Sequence, residues 1–101
     1  MKAIIQDIDE ARAVTILRAL ANPIRFRIVQ ILAKQDACVC GDLVSELPVA
    51  QSTVSEHLKV LKDAGIVQGV VEGPNRCYCL NPAAIRFLGG EILSLAEPGC
   101  G

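Results

Sequence analysis

The chain has 101 residues, of which 51% are hydrophobic and 21% are charged, and its net charge is −1. This length fits one domain, and so high an apolar content excludes a disordered tail. No apolar run approaches the ~20 residues of a membrane helix, and the N-terminus turns acidic at Asp7, too soon for a secretory signal. We therefore expect a cytoplasmic protein with no membrane partner. Because so small a domain gains little net stability alone, we also expect it to share its core with a second copy.

The first third of the chain is predicted to be helical. Apolar spacing predicts helices over Ile8–Leu20 and Ile24–Leu32. Asn22 followed by Pro23 is typical of an N-cap with proline at the first helical position. Five basic residues and no acidic one lie between positions 11 and 35: Arg12, Arg18, Arg25, Arg27 and Lys34. This basic stretch is either a solvated helix face or a surface that faces phosphate.

The middle of the chain has the pattern of a helix-turn-helix. Residues 35–41 are predicted as a loop, Asp42–Leu47 as a short helix and Pro48-Val49-Ala50 as a turn. Gln51–Ala64 is predicted as a strong helix that ends at Gly65. Two short helices joined by a tight turn, the second richer in polar side chains, are typical of this motif.

The last third is predicted to be a β-hairpin followed by a helix. Strands are predicted at 66–72 and 76–80 around a Gly-Pro-Asn turn. A final helix is predicted at 83–95, after Asn81-Pro82, which repeats the asparagine cap followed by proline. A hairpin directly after a recognition helix forms a wing. The predicted fold is therefore mostly α with a small β-hairpin, a winged helix-turn-helix of five helices in one domain over residues 1–95. Residues 96–101 are expected to form a flexible tail.

The outer face of the helix predicted at 51–64 carries short hydrogen-bonding and basic side chains. Groups of this kind fit a major groove, and lysines suit phosphates. The candidate DNA-binding residues on this helix are Gln51, Ser52, Thr53, Ser55, His57, Lys59 and Lys62. His57 is the one histidine of the chain, so it lacks a second histidine for a metal site, and we expect a DNA or structural contact. The alternative is an ordinary amphipathic helix with a polar side.

Three segments resemble the ArsR/SmtB family of winged-helix repressors. Ser52–Val67 fits the family pattern Ser-x-x-Ser-x-His-Leu-x-x-Leu-x-x-Ala-Gly-(Ile/Leu)-Val, while Ala21–Ile28 and Gly73–Leu80 are similar to its second helix and its wing. The resemblance implies a homodimer through the first and last helices, bound to a palindromic operator in double-stranded DNA. It also implies repression relieved by a ligand, and wing residue Arg76 at or near the minor groove. Ala50 departs from the pattern, since many members have a capping serine there.

The five cysteines carry the candidate sensor chemistry. Their odd number and the missing export signal favour reduced thiols over a disulfide framework, and thiolates select soft ions. Cys38-Val39-Cys40 resembles the arsenic-sensing branch of the family, which implies arsenite or antimonite as effector, held by three sulfurs. Cys100 is the candidate third ligand, although its role is open. Cys77 with Cys79 is a candidate second pair, and the sequence leaves open whether the two Cys-x-Cys pairs join or act separately.

Two other sensor chemistries fit the same fold. Four thiolates would suit cadmium, lead or zinc, whereas two cysteines that form a disulfide or polysulfide would sense redox state or sulfide. An enzyme is not expected, because one histidine and no phosphate loop leave no catalytic constellation. Cys38 and Cys40 fall on one side of an extended chain but about 200° apart on a helix. Ligand binding is therefore expected to displace the helix predicted from Asp42.

Overall fold

Helices form most of the part of the chain that the computed structural model describes, residues 8–41 and 47–97. Its elements in chain order are α1 (Ile8–Leu20), α2 (Pro23–Ala33), β1 (Val39–Cys40), α3 (Gln51–Asp63), β2 (Val67–Val70), β3 (Cys77–Leu80) and α4 (Pro82–Ser94). Within these described ranges, no helix is long and apolar enough to cross a membrane.

Two helices begin with the caps that the sequence predicts. The Asn22 side chain accepts hydrogen bonds from the amides of Ile24 and Arg25, at 2.9 and 3.1 Å, and so fixes the start of α2. Asn81 accepts from the amide of Ala83 at 3.2 Å at the start of α4. Both asparagines precede a proline, whose missing amide proton costs nothing at a helix start.

The core lies where the helices and the sheet meet. Ile16 of α1, Ile28 of α2 and Leu58 of α3 are fully buried, as their helical spacing requires. Tyr78 of β3 packs against them from the sheet. The guanidinium carbon of Arg12 lies 4.4 Å from the ring centre of Phe87, so a cation–π contact also joins α1 to α4.

The predicted count of five helices needs correction. The part of the chain that the structure describes has four helices, and the short helix predicted from Asp42 falls on residues outside that part, apart from Leu47. Leu47 lies in a bend and is buried in the core.

The predicted two-stranded hairpin is part of a three-stranded antiparallel sheet in the order β1-β3-β2. Residues 35–41 were expected to form a loop, but Val39 and Cys40 pair with Tyr78 and Cys77. The pairing has a physical basis, because Tyr78 is buried on the core side and half-buried Val39 packs against the same core. A two-residue strand carries no periodicity of its own, so local pattern does not reveal it.

Gly69 brings β2 close to β3. Its φ of +112° is in the region that favours glycine, and a Cβ at this position would collide with the carbonyl oxygen of Cys77. The wing therefore requires glycine opposite Tyr78.

Candidate functional site

The predicted DNA-binding side chains lie on the solvent side of α3. Val54, Leu58 and Leu61 are fully buried and attach the helix to the core. Ser52, Thr53 and the two lysines are exposed, whereas Gln51, Ser55 and His57 are half-buried, as the burial pattern of the helix shows. The Gln51 amide nitrogen donates to the Ser55 hydroxyl at 3.2 Å. The face nearest the N-terminus of α3 therefore presents small polar groups to solvent.

His57 makes a structural contact at the inner edge of that face. Its Nδ1 lies 3.3 Å from the Arg25 guanidinium of α2, and Arg25 also donates from Nε to the Ala19 carbonyl at 2.6 Å. Desolvation, followed by the Arg25 charge, lowers the pKa of His57 below its ordinary 6.5. The neutral ring can therefore accept from Arg25, and one arginine ties α1, α2 and α3 together.

Lys59 connects α3 to the wing. Its ammonium lies 3.5 Å from the Glu56 carboxylate and 3.6 Å from that of Glu72, and these two charges raise the pKa of Lys59. A DNA phosphate would compete with both carboxylates for this lysine. Both ion pairs are exposed to solvent, so little energy opposes that exchange.

Arg76 stands beside the end of β1. Its Nε donates to the Gly41 carbonyl at 3.3 Å, and a terminal nitrogen donates to the Gly73 carbonyl at 2.8 Å. The Gly41 amide in turn donates to the Arg76 carbonyl at 3.1 Å. The wing arginine is thus held by the residue that directly follows Cys40.

Four cysteines form two pairs, which join β3 to β1 and to the residue directly before β1. Disulfides join Cys38 to Cys79 and Cys40 to Cys77, with Cα–Cα distances of 4.4 and 4.0 Å. The expectation of reduced thiols at these four positions is therefore wrong for this structure. The antiparallel register places Cys40 directly opposite Cys77, and the two-residue spacing on each strand brings the other pair together.

These four residues, Cys38, Cys40, Cys77 and Cys79, are called the cysteine ladder below. Val39 and Tyr78 alternate with them along the strands, and Tyr78 is only 1% exposed, so the sulfurs lie on the opposite side from the core. Burial raises the pKa of Tyr78 against the opposing charge of Arg76, and its protonated hydroxyl donates to the Gly41 carbonyl at 3.4 Å. Cys100 lies outside the described residues.

A cavity of about 300 Å³ opens beside the ladder. Cys38 and Cys79 form part of its wall, together with Leu32, Gln35 and Leu80. As disulfides the four sulfurs are not thiolate ligands. Residues 8–41 and 47–97 contain no group of three or more His, Cys, Asp or Glu side chains arranged to hold a metal ion.

Sequence reasoning left open whether the two Cys-x-Cys pairs meet, and the structure shows that they do. The signal that points to this is the equal spacing of the two pairs, which gives each strand two sulfurs on one face. The pairing of β1 with β3 cannot be predicted from local sequence, because the two strands are distant in the chain.

A polar helix on a helical core, followed by an antiparallel hairpin, defines the class of winged-helix DNA-binding regulators. The comparisons name the family within this class. Residues 22–68 match the model of the arsR family of bacterial regulatory proteins. The chain is 31% identical over 88 residues to the arsenical resistance operon repressor of Staphylococcus xylosus, covering 85% of this chain and 84% of that one. The protein therefore belongs to the ArsR family, whose members are DNA-binding transcription regulators and not enzymes.

Two further similarities agree with this assignment. The chain is 48% identical over 65 residues to the HTH-type transcriptional repressor SmtB of Mycobacterium tuberculosis, a match that covers 64% of this chain and 47% of the relative. The match thus spans about half the length of that relative. The crystal structure of a possible transcriptional regulator for arsenical resistance superposes with a TM-score of 0.65 at 33% identity, over 80% of this chain and 83% of that one.

Proposed function

We propose that the protein is a transcriptional repressor that binds a palindromic operator in double-stranded DNA as a homodimer. In this proposal the polar face of α3 reads the major groove, and Arg76 of the wing lies at or near the minor groove. Lys59 and Lys62 contact phosphates. The observation that carries the DNA part is the outward polar face of α3 on a buried Val54–Leu61 stripe, in a chain of the ArsR family.

The exposed apolar side chains of α1 and α4 support the homodimer. Ile8 is 83% exposed, Leu93 71% and Leu95 80%, and all three lie on or directly after these two helices. Large apolar side chains that are exposed to solvent in a single copy are typical of an interface between two copies. Sedimentation or light scattering of the reduced protein tests this, and a monomer at operator-binding concentration contradicts it.

The effector in this proposal is arsenite or antimonite, bound by the reduced sulfurs of Cys38, Cys40 and one further cysteine. The observation that carries it is that both sulfurs lie on the side of the chain away from the core, and that Cys38 lines a cavity of about 300 Å³. Trivalent arsenic binds three sulfurs in a pyramid, and soft thiolate ligands select such an ion over magnesium or calcium. The arsenical repressor among the relatives is consistent with this effector.

The test is fluorescence anisotropy of a labelled fragment of the protein's own promoter. Reduced protein is expected to release the DNA when arsenite is added, and Cys38→Ser or Cys40→Ser is expected to abolish the release while leaving operator binding intact. Lys62→Ala is the matched control, with weaker DNA binding but normal release. If both serine variants still respond fully, the effector does not bind at β1.

The paired sulfurs favour one alternative, a thiol–disulfide switch. Two thiols of a cross-strand pair are oxidised by a peroxide to one disulfide with release of two waters, and dithiothreitol reverses the step. This alternative predicts DNA release by peroxide or polysulfide without any metal. A four-thiolate cadmium, lead or zinc site is the other alternative, and it predicts a sulfur-to-metal charge-transfer band with four thiolates per ion.

A further inference from the structure

We infer that the wing is itself part of the effector site. Cys77 or Cys79 of β3 supplies the third sulfur to the arsenic held by Cys38 and Cys40, and binding moves Arg76 away from the DNA. This inference rests on the proposed arsenite response, and it assigns that response a third ligand and a route to the DNA.

The register of the sheet supplies the third ligand. Cys40 of β1 and Cys38, directly before that strand, are each joined to a cysteine of β3, with Cα–Cα distances of 4.0 and 4.4 Å. A donor from β3 thus reaches the site without any contribution from residues beyond 97. Because two β3 sulfurs are available and arsenic needs one, Cys77 and Cys79 are expected to replace each other.

The reaction balances without any change in the oxidation state of arsenic. A low-molecular-weight thiol first reduces the ladder: for each disulfide, two such thiols give two cysteine thiols and one small-molecule disulfide. Arsenite, As(OH)₃, then forms three As–S bonds. Each thiol proton leaves with one hydroxide as water, so three waters are released and the fourth cysteine stays a thiol.

The step must bend the strands. Residues two apart on a strand are about 6.6 Å apart, whereas three sulfurs on one arsenic atom converge on a single point. The bend falls next to Gly41, which follows Cys40 and has a φ of +96°. It therefore acts on the contacts that Gly41 makes.

Those contacts lead directly to the wing. The Gly41 carbonyl accepts from Arg76 and from Tyr78, and its amide donates to the Arg76 carbonyl. Arg76 also directly precedes Cys77 in the chain. Its hydrogen-bond partner Gly41 and its chain neighbour Cys77 therefore both move when arsenic binds. The wing arginine consequently loses its position, whereas Lys62 on α3 has no such connection to the ladder among the described contacts.

The first arm of the experiment identifies the third ligand with reduced full-length protein, reading the As–S ultraviolet absorption and operator release. Cys77→Ser and Cys79→Ser are each expected to keep both signals, as is Cys100→Ser, whereas the double variant C77S/C79S loses both. Loss of the signals in Cys100→Ser, with their retention in C77S/C79S, overturns the inference. If C77S/C79S fails to bind the operator, alkylation of the arsenic-bound wild type decides: protection of Cys100 with Cys77 and Cys79 both alkylated overturns it.

The second arm measures the coupling to Arg76. Arg76→Ala and Lys62→Ala are each expected to weaken operator binding about tenfold without arsenite, as the loss of one DNA contact does. Arsenite is then expected to weaken the Lys62→Ala complex by the same factor as wild type and the Arg76→Ala complex by a much smaller factor. An equal factor in all three proteins overturns the route through the wing. Failure of wild type to bind arsenite or to release DNA rejects instead the proposed effector, so the two failures are distinguishable.

Discussion

Helix α3 is attached by residues that are close in sequence, whereas the cysteine ladder joins residues 37 and 41 positions apart. Val54, Leu58 and Leu61 form one stripe on a single helix, so α3 needs only a core to pack on. The cysteine ladder forms only if β1 pairs with β3. Helix α3 and the cysteine ladder therefore respond to different changes, and each can be perturbed separately.

The largest expected effect is on the ladder. Reduction of both disulfides is expected to lower the free energy of unfolding by about 2–4 kcal/mol, because the reduced unfolded chain regains the entropy of a long loop. Urea unfolding with and without dithiothreitol measures this. Hydrogen exchange should accelerate at residues 38–41 and 77–80 and stay slow at residues 54–61; faster exchange throughout α3 would show that the two regions are not separate.

The nested arrangement of the disulfides offers a control for that experiment. The 40–77 loop lies inside the 38–79 loop, so the second bridge closes a loop that is already nearly closed. The double variant C40S/C77S is therefore expected to lose less than about 1 kcal/mol under oxidising conditions. A loss as large as that of full reduction would contradict the loop-entropy explanation.

Gly69→Ala tests the other edge of the sheet. The added Cβ meets the Cys77 carbonyl, and the φ of +112° is unfavourable for alanine, so we expect a loss of about 1–3 kcal/mol in thermal or urea unfolding. Gly90→Ala in α4, where a Cβ meets nothing within 4 Å, is the matched control and should be neutral or stabilising. Equal losses for the two variants would mean that the close approach of β2 to β3 is unimportant.

Ala50→Ser is expected to strengthen α3. Ala50 is the N-cap and has an extended backbone, with φ −71° and ψ 157°, so a serine hydroxyl can accept from an amide of the first turn. The expected gain is about 1 kcal/mol in the free energy of unfolding. Ala50→Val, which has no hydroxyl, controls for side-chain size, and an equal gain there would exclude capping as the cause.

The smallest expected effect is a pH dependence from His57. Its pKa is lowered in the folded protein, so between that pKa and the ordinary 6.5 the unfolded chain binds more protons. Stability should therefore fall as the pH drops below about 6.5, by a few tenths of a kcal/mol because the ring is only partly buried. His57→Gln should remove this slope between pH 7 and 5.5, since the chain has one histidine. A slope that persists would assign it to other groups.

Features that depend on residues close in sequence could be predicted, whereas features that join distant segments could not. The bounds of α1 and the asparagine caps of α2 and α4 agree with the sequence prediction, because each depends on residues within one helical turn. The outer face of α3 follows from its own periodicity. The strand Val39–Cys40 and the joining of the two cysteine pairs could not be predicted, since two residues carry no period and their partners lie in a distant segment.

Asn81 fixes the position of α3 relative to α4. Its amide donates to the Ile66 carbonyl at 2.7 Å and its side-chain nitrogen to the Gly65 carbonyl at 3.0 Å, just beyond the end of α3, while its Oδ1 caps α4. In the proposed dimer, joined through α4, this residue sets the separation of the two reading helices. Base preference can therefore change through exposed side chains such as Ser52 and Thr53 while the half-site spacing stays constant. Operators of related regulators with the same asparagine would then differ in base sequence but not in the spacing between their half-sites.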